Sequence, residues 1–236
     1  MRDPAFRAPG TLLDTHRQRT PHKTALVEVE RGLALDFTAL AELVEALARQ
    51  LLGYGATPGA RILLAGGDSL EKLLLWLAIW RIGAVVWIVG AAAAGRVVAA
   101  IDPALVLAPG GAGVAALARP GALLLRYGAL DDEAPCAIAF ARHAAPAVEL
   151  GGSGPAACDL AAMCCTSGTT GAPKVVVYDH ACYWLNGLDS IDLLGLHGED
   201  RMLEYRSFDW YSAQILSLMP FLQTGLTLHL APRFSR

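Results

Sequence analysis

Charge is scarce in this sequence. Asp, Glu, Lys and Arg make up 17% of its 236 residues, and the formal net charge is only −3. That balance gives no basis for nucleic acid or an anionic membrane surface as a bulk partner. Cysteine is scarce too. Cys136, Cys158, Cys164, Cys165 and Cys182 are odd in number and have no paired C-x-x-C spacing. A disulfide framework and a zinc site of the ribbon or finger type are both disfavoured, and reduced thiols in a cytoplasmic protein are expected. The opening residues, MRDPAFRAPG, contain no apolar core of a secretory signal. No apolar run is long enough to span a bilayer. The most membrane-like stretch, Leu73 to Gly95, is interrupted by Arg81 and Gly83, which leaves a buried helix followed by a buried strand.

What is abundant is apolar surface. Hydrophobic residues make up 54% of the chain, enough for one large or two small domains. High apolar content with little charge suits a parallel sheet covered by helices better than a half-exposed antiparallel one. It also suits a polypeptide whose apolar surface is covered by further chain or by a partner.

The order of elements agrees. Ala25–Glu30 and Leu33–Leu35 flank Arg31-Gly32 as a hairpin. A helix should follow from Asp36 or Thr38, with Leu40, Leu43, Val44, Leu47 and Leu51 on one face and Gly53 and Gly55 at its stop. Arg61–Ala65 reads as a buried strand. Asp68–Arg81, capped by Asp68 or Ser69, reads as a helix apolar nearly all round, and Ala84–Val89 as the next strand. This alternation predicts an α/β fold with layered helices on mostly parallel sheets. It continues with helices at Ala93–Ile101 and Val114–Ala118, strands at Ala104–Leu107 and Ala122–Leu125, and a solvated acidic turn at Asp131–Glu133. Gly151-Gly152-Ser153-Gly154-Pro155 reads as a joint. The division expected from it is a first α/β subdomain over residues 1–150 and the start of a second over 151–236. Beyond the joint come a strand Leu160–Cys165, a helix from Asp179 or His180 to Leu194, and an extended Arg201–Tyr205. A helix Trp210–Thr224, kinked or broken at Pro220, and a closing strand Leu226–Leu230 complete the pattern.

The chemistry concentrates in one stretch, Met163 to His180. A strand runs into Thr166-Ser167-Gly168-Thr169-Thr170-Gly171, then Lys174 and a second strand from Val175. Gly168 and Gly171 permit positive φ and close approach of a ligand to the backbone. The hydroxyls of Thr166, Ser167, Thr169 and Thr170 and the loop N–H groups can donate to phosphate oxygens, and Lys174 adds a mobile positive charge. The spacing is not that of the Walker loop, where Lys directly follows the last Gly and a helix comes next. Composition alone leaves two readings open, a phosphate cradle or a polar surface hairpin.

The string TSGTTGAPK resembles the phosphate-binding signature of the adenylate-forming superfamily, which includes acyl-CoA synthetases, peptide-synthetase adenylation domains and luciferases. Three further stretches resemble regions of the same family: Leu35–Leu64, Leu77–Val89 and Ser207–Leu228. One departure is Val175, where the family usually has Gly after the lysine. The resemblance implies the front part of an adenylate-forming N-terminal domain, leaning towards acyl-CoA synthetases. It implies ATP and a carboxylic acid as substrates, Mg²⁺ as metal, and CoA as co-substrate of a full-length ligase. Thr166, Ser167, Gly168, Thr169, Thr170, Gly171 and Lys174 would hold the phosphates, with Lys174 as the catalytic cation. In the last stretch an aromatic turn would line the acid pocket, with Phe208, Trp210 and Tyr211 as candidates and Trp210 preferred; core packing is the other role open to them. His180 falls where the family often carries a histidine, and the roles open to it are pocket lining or helix capping and packing.

Several family elements have no match in this sequence. They are the Tyr-Gly-x-Thr-Glu that would hold Mg²⁺, the Thr-Gly-Asp that would hold the ribose, the Gly-Arg-x-Asp hinge, and the C-terminal domain with its adenylation lysine. The expectation is an N-terminal portion that does not turn over alone. The alternative is a non-catalytic nucleotide-binding or interaction module completed by another polypeptide.

Overall fold

In the computed structural model, Asp36, one of the two caps the sequence offers, starts the first long helix, its carboxylate accepting the Ala39 N–H at 2.7 Å. The structure describes residues 5–89, 102–110, 122–130, 137–140, 148–151, 154–165 and 174–231. The expected helices at Ala93–Ile101 and Val114–Ala118, the acidic turn at Asp131–Glu133, and the signature residues Thr166 to Pro173 lie outside the described residues.

Ten strands and six helices are described. The strands are β1 (Thr24–Glu28), β2 (Leu33–Asp36), β3 (Arg61–Ala65), β4 (Val85–Val89), β5 (Leu105–Pro109), β6 (Leu123–Tyr127), β7 (Leu160–Cys165), β8 (Val175–Asp179), β9 (Arg201–Glu204) and β10 (Thr227–Leu230). The helices are α1 (Leu12–Arg19), α2 (Phe37–Gly53), α3 (Leu70–Arg81), α4 (His180–Leu194), α5 (Tyr211–Ala213) and α6 (Met219–Thr224).

The strands form two sheets. One has four strands in the order β2-β1-β10-β9, and the other six in the order β6-β5-β3-β4-β7-β8. The β1–β2 and β7–β8 pairs are antiparallel, and every other strand pair is parallel. Helices lie between the sheets: α2 packs on β1 and β2 and against α3, while α3 packs on β3 and β4. All five apolar positions expected on the inner face of α2, from Leu40 to Leu51, are buried. In α3 every residue from Leu70 to Trp80 is buried, as a helix held between α2 and a sheet must be.

Two details differ from the sequence reading. The sheets do not divide the chain at Gly151, because each takes strands from both sides of it. The cause is β10, which returns to lie between β1 and β9, with Leu26 opposite Leu228 on one side and Leu228 opposite Met202 on the other. The helix expected over 210–224 is not broken at Pro220. Its irregularity is a π-helical turn, Gln214–Leu218, just ahead of α6. That turn restarts the hydrogen-bond ladder so that Pro220 falls in the first turn of α6, where a missing N–H costs nothing.

The 3₁₀ turn Pro9–Thr11 seats the start of the chain on the end of α3. A methyl group at Gly10 would stand 2.5 Å from the Trp80 carbonyl oxygen and 2.7 Å from the Arg81 nitrogen, both backbone atoms that cannot turn aside. Gly10→Ala is therefore expected to destabilise the chain by about 1–3 kcal/mol, read as a lower midpoint in urea. An unchanged midpoint would show that the end of α3 yields without strain.

Candidate active site at the carboxyl edge of the six-stranded sheet

β7 is parallel to β4, and β4 to β3, so Ala65, Val89 and Cys165 all end at one edge of the sheet. Chains leaving the carboxyl ends of parallel strands are where ligands bind in open α/β sheets. β8 then runs back antiparallel, with Cys165 opposite Val175. Residues 166–174 thus join the paired ends of a hairpin stem at that edge. Lys174, the last of them, is exposed just before β8.

A second segment reaches the same edge. β3 leads through Gly66 to Ser69, which caps α3 by accepting the Lys72 N–H at 3.1 Å. The turn between β9 and α5 docks here. Phe208 N–H donates to Asp68 Oδ1 at 3.2 Å, and Lys72 Nζ donates to Asp209 Oδ1 at 2.8 Å and to the Gly66 carbonyl at 3.0 Å.

The aromatic candidates of this turn separate by environment. Phe208 is buried, its ring edge-on to Trp76 at 6.2 Å, and belongs to the core. Trp210 is 67% exposed. Tyr211 stacks on Tyr178 of β8, with ring centroids 4.1 Å apart and planes 5° from parallel. Tyr183 of α4 meets Tyr211 edge-on at 5.5 Å and bonds through its hydroxyl to Gln214. The Tyr211 hydroxyl lies 3.1 Å from Cys182 Sγ. Burial raises the pKa of Tyr178 and of Tyr211, and a bond to Cys182 adds to the shift at Tyr211, so both phenols stay protonated near neutral pH. The stack ties the turn to the strand that follows the signature.

A sequence model of AMP-binding enzymes matches residues 13–236. The chain belongs to this family. Indoleacetate–CoA ligase of Aromatoleum aromaticum is 28% identical over 241 residues, covering 94% of this chain and 44% of the ligase. MatB of Rhodopseudomonas palustris superposes with a TM-score of 0.82 at 22% identity, over 97% of this chain and 46% of MatB; its structure has been solved both apo and with ATP bound. The N-terminal domain of FACL13 from Mycobacterium tuberculosis superposes with a TM-score of 0.76 at 23% identity, over 98% of this chain and 58% of that domain. The fold is thus that of the N-terminal domains of adenylate-forming enzymes, and the chain spans about half the length of the relatives it matches.

Within this member of the AMP-binding family, the candidate residues are not all gathered in one place. Lys174, Trp210 and Tyr211 belong to the carboxyl edge or to segments tied to it. His180 does not. It follows Asp179, which pairs with Leu160 at the start of β7, so one strand length, about 17 Å, separates it from the signature end of the hairpin. Its ring is completely buried, edge-on to Trp80 at 5.8 Å, while its backbone N–H bonds to the Asp159 carbonyl at 3.0 Å. The residue that caps α4 is Asp179, which accepts the Cys182 N–H at 2.7 Å. Sequence reasoning missed Lys72, Asp209 and Tyr178. A lysine in the otherwise apolar LLLWLAIW-bearing helix was the available signal for the first, since buried lysine implies a partner.

His180 makes a pH-dependent contribution. Among the described residues neither ring nitrogen has a hydrogen-bond partner. Burial lowers its pKa from 6.5 to about 4, against an opposing pull from Asp159 and Asp179. Above pH 6.5 the ring is neutral in both folded and unfolded chains. As pH falls the unfolded chain binds the proton first, so stability drops, by about 3 kcal/mol in total once pH 4 is passed. Between pH 7 and pH 5 the chain is expected to lose about 2 kcal/mol more than His180→Phe in urea unfolding. Equal losses in the two proteins would show that the ring titrates normally.

Proposed function

We propose that this chain is the nucleotide- and acid-binding front of an ATP-dependent acid–CoA ligase, the portion that holds the triphosphate while a carboxylate attacks it. The observation that carries this is where the strands flanking the TSGTTGAPK signature end, with Cys165 and Val175 paired at the carboxyl edge of a parallel sheet. The ATP-bound form of MatB, a structural neighbour, supports the nucleotide as the ligand.

The residues divide the work as follows. Thr166, Ser167, Thr169 and Thr170 donate hydroxyls, and Gly168 and Gly171 let the backbone approach the β- and γ-phosphates. Lys174 offsets the charge that develops on pyrophosphate as the acyl-adenylate forms. The carboxylate oxygen attacks the α-phosphorus and pyrophosphate leaves; CoA thiol then displaces AMP from the acyl carbon in the complete ligase. Trp210 and Tyr211 form one wall for the acid. His180 has no part in this scheme, because its ring packs at the far end of β8.

Mg²⁺ would shield the phosphates; among the described residues no three His, Cys, Asp or Glu side chains converge to hold it. Nor does any described helix have the length and apolarity to cross a membrane. We assign these 236 residues binding rather than turnover, because the family's Mg²⁺, ribose and hinge motifs have no match in the sequence. A second reading, a nucleotide-binding module completed by another polypeptide, is favoured by the exposed apolar residues Leu193, Leu203 and Tyr205.

Calorimetric titration with ATP tests the assignment. Lys174→Ala should weaken binding by about 10- to 100-fold, the range for losing one charge-assisted phosphate contact. Equal affinity in the two proteins would remove Lys174 from the phosphate site. ATP–pyrophosphate exchange by the 236-residue chain should stay at background, and a clear exchange signal would assign it turnover of its own.

A further inference from the structure

Lys72 is out of place in its helix. It stands in the first turn of α3, is only 2% exposed, and has Leu70, Leu73, Leu74 and Trp76 around it, all buried. A leucine would serve helix and core equally well. A buried ammonium is costly to desolvate unless it is closely paired, and its pairing here is long-range. It donates to the Gly66 carbonyl at 3.0 Å and to Asp209 at 2.8 Å, with Asp68 3.8 Å away.

Both anchors sit at the carboxyl edge. Gly66, at φ +118°, forms the exit of β3, and a side chain there would collide with the Tyr127 hydroxyl and Pro109. The Tyr127 hydroxyl in turn donates to the Ala65 carbonyl at 2.9 Å. That exit is thus a fixed reference point. Asp209 is the centre of the aromatic turn: its N–H donates to Ser207 Oγ at 3.1 Å, and the next N–H, that of Trp210, donates to the Ser207 carbonyl at 3.1 Å. Lys72 joins the two. Nearby, Asp68 takes the Phe208 N–H, so the turn is held at successive residues.

We infer that Lys72 is a positioning residue. Through Asp209 it fixes where the Phe208–Tyr211 turn stands against the carboxyl edge of the sheet, and with it the exposed ring of Trp210. That this ring forms a wall of the acid pocket rests on the function proposed above; the positioning itself does not.

The test uses the full 236-residue chain labelled with 5-fluorotryptophan and observed by fluorine NMR. Trp76, Trp80, Trp87 and Trp184 are buried, so Trp210 supplies the one solvent-facing tryptophan signal, assigned with Trp210→Phe. In Lys72→Met and in Asp209→Asn the Trp210 resonance should move towards that of free 5-fluorotryptophan and narrow. The Trp80, Trp87 and Trp184 resonances should stay in place, Trp76, edge-on to Phe208, should respond with the turn, and Lys72→Arg should bring the Trp210 signal back towards its original position. A purely stabilising lysine would shift all five signals together or none. A Trp210 resonance unmoved in folded Lys72→Met and Asp209→Asn overturns the inference. Should Lys72→Met not fold, Asp209→Asn decides by the same criterion, because it changes the less buried partner. Titration of the unmutated chain with indole-3-acetate separates the two ideas. A Trp210 signal that ignores the acid, while still depending on Lys72, counts against the acid pocket and leaves the positioning role in place.

Discussion

A helix with no solvent face is the constraint on which this fold depends. From Leu70 to Trp80 every residue of α3 is buried. Covering such a helix takes apolar surface on all sides, and α2, the turn Pro9–Thr11 and strands β3 and β4 supply much of it. Three of its polar side chains find partners in different parts of the chain. Trp80 Nε1 donates to the Ala161 carbonyl at 2.9 Å, and Glu71 accepts the Leu130 N–H at 2.8 Å while pairing with Arg31 at 2.9 Å. Lys72 reaches Asp209. An apolar helix with a handful of directional contacts thus sets the register between layers that hydrophobic contact alone would leave free to slide.

The candidate site residues stand on that frame in two pieces. One is the hairpin of β7 and β8, which carries the signature; the other is the turn that carries Trp210 and Tyr211. They are far apart in sequence and meet through the Tyr178–Tyr211 stack and the docking of the turn on the start of α3.

Local signals in the sequence were dependable, and long-range ones were not. The stripe Leu40–Leu51, the cap at Asp36, the buried strands at Arg61 and Leu160 and the helix beginning at His180 follow from periodicity and capping chemistry that operate within a few residues. The signature identified the family without help from the fold. The pairing of β10 between β1 and β9 was not legible, since nothing in Thr227–Leu230 names a partner about 200 residues earlier. Nor was the remoteness of His180 from the loop: six residues separate it from Lys174 in sequence, but the strand between them is extended and carries it to the opposite edge. The Lys72–Asp209 pair, 137 residues apart, showed in the sequence only as an oddly placed charge.

The insertion of β10 between β1 and β9 also dictates the order in which the molecule can come into being. During synthesis the β1–β2 hairpin leaves the ribosome early, yet β1 has no second neighbour until Leu230 has been made. Through that interval Leu26 and the open edge of β1 are presented to whatever else is in the cell, and a bare strand edge is a template for the wrong pairing. Residues 227–230 thus complete a sheet that residues 24–36 begin. The four-stranded sheet therefore cannot close progressively from its amino end.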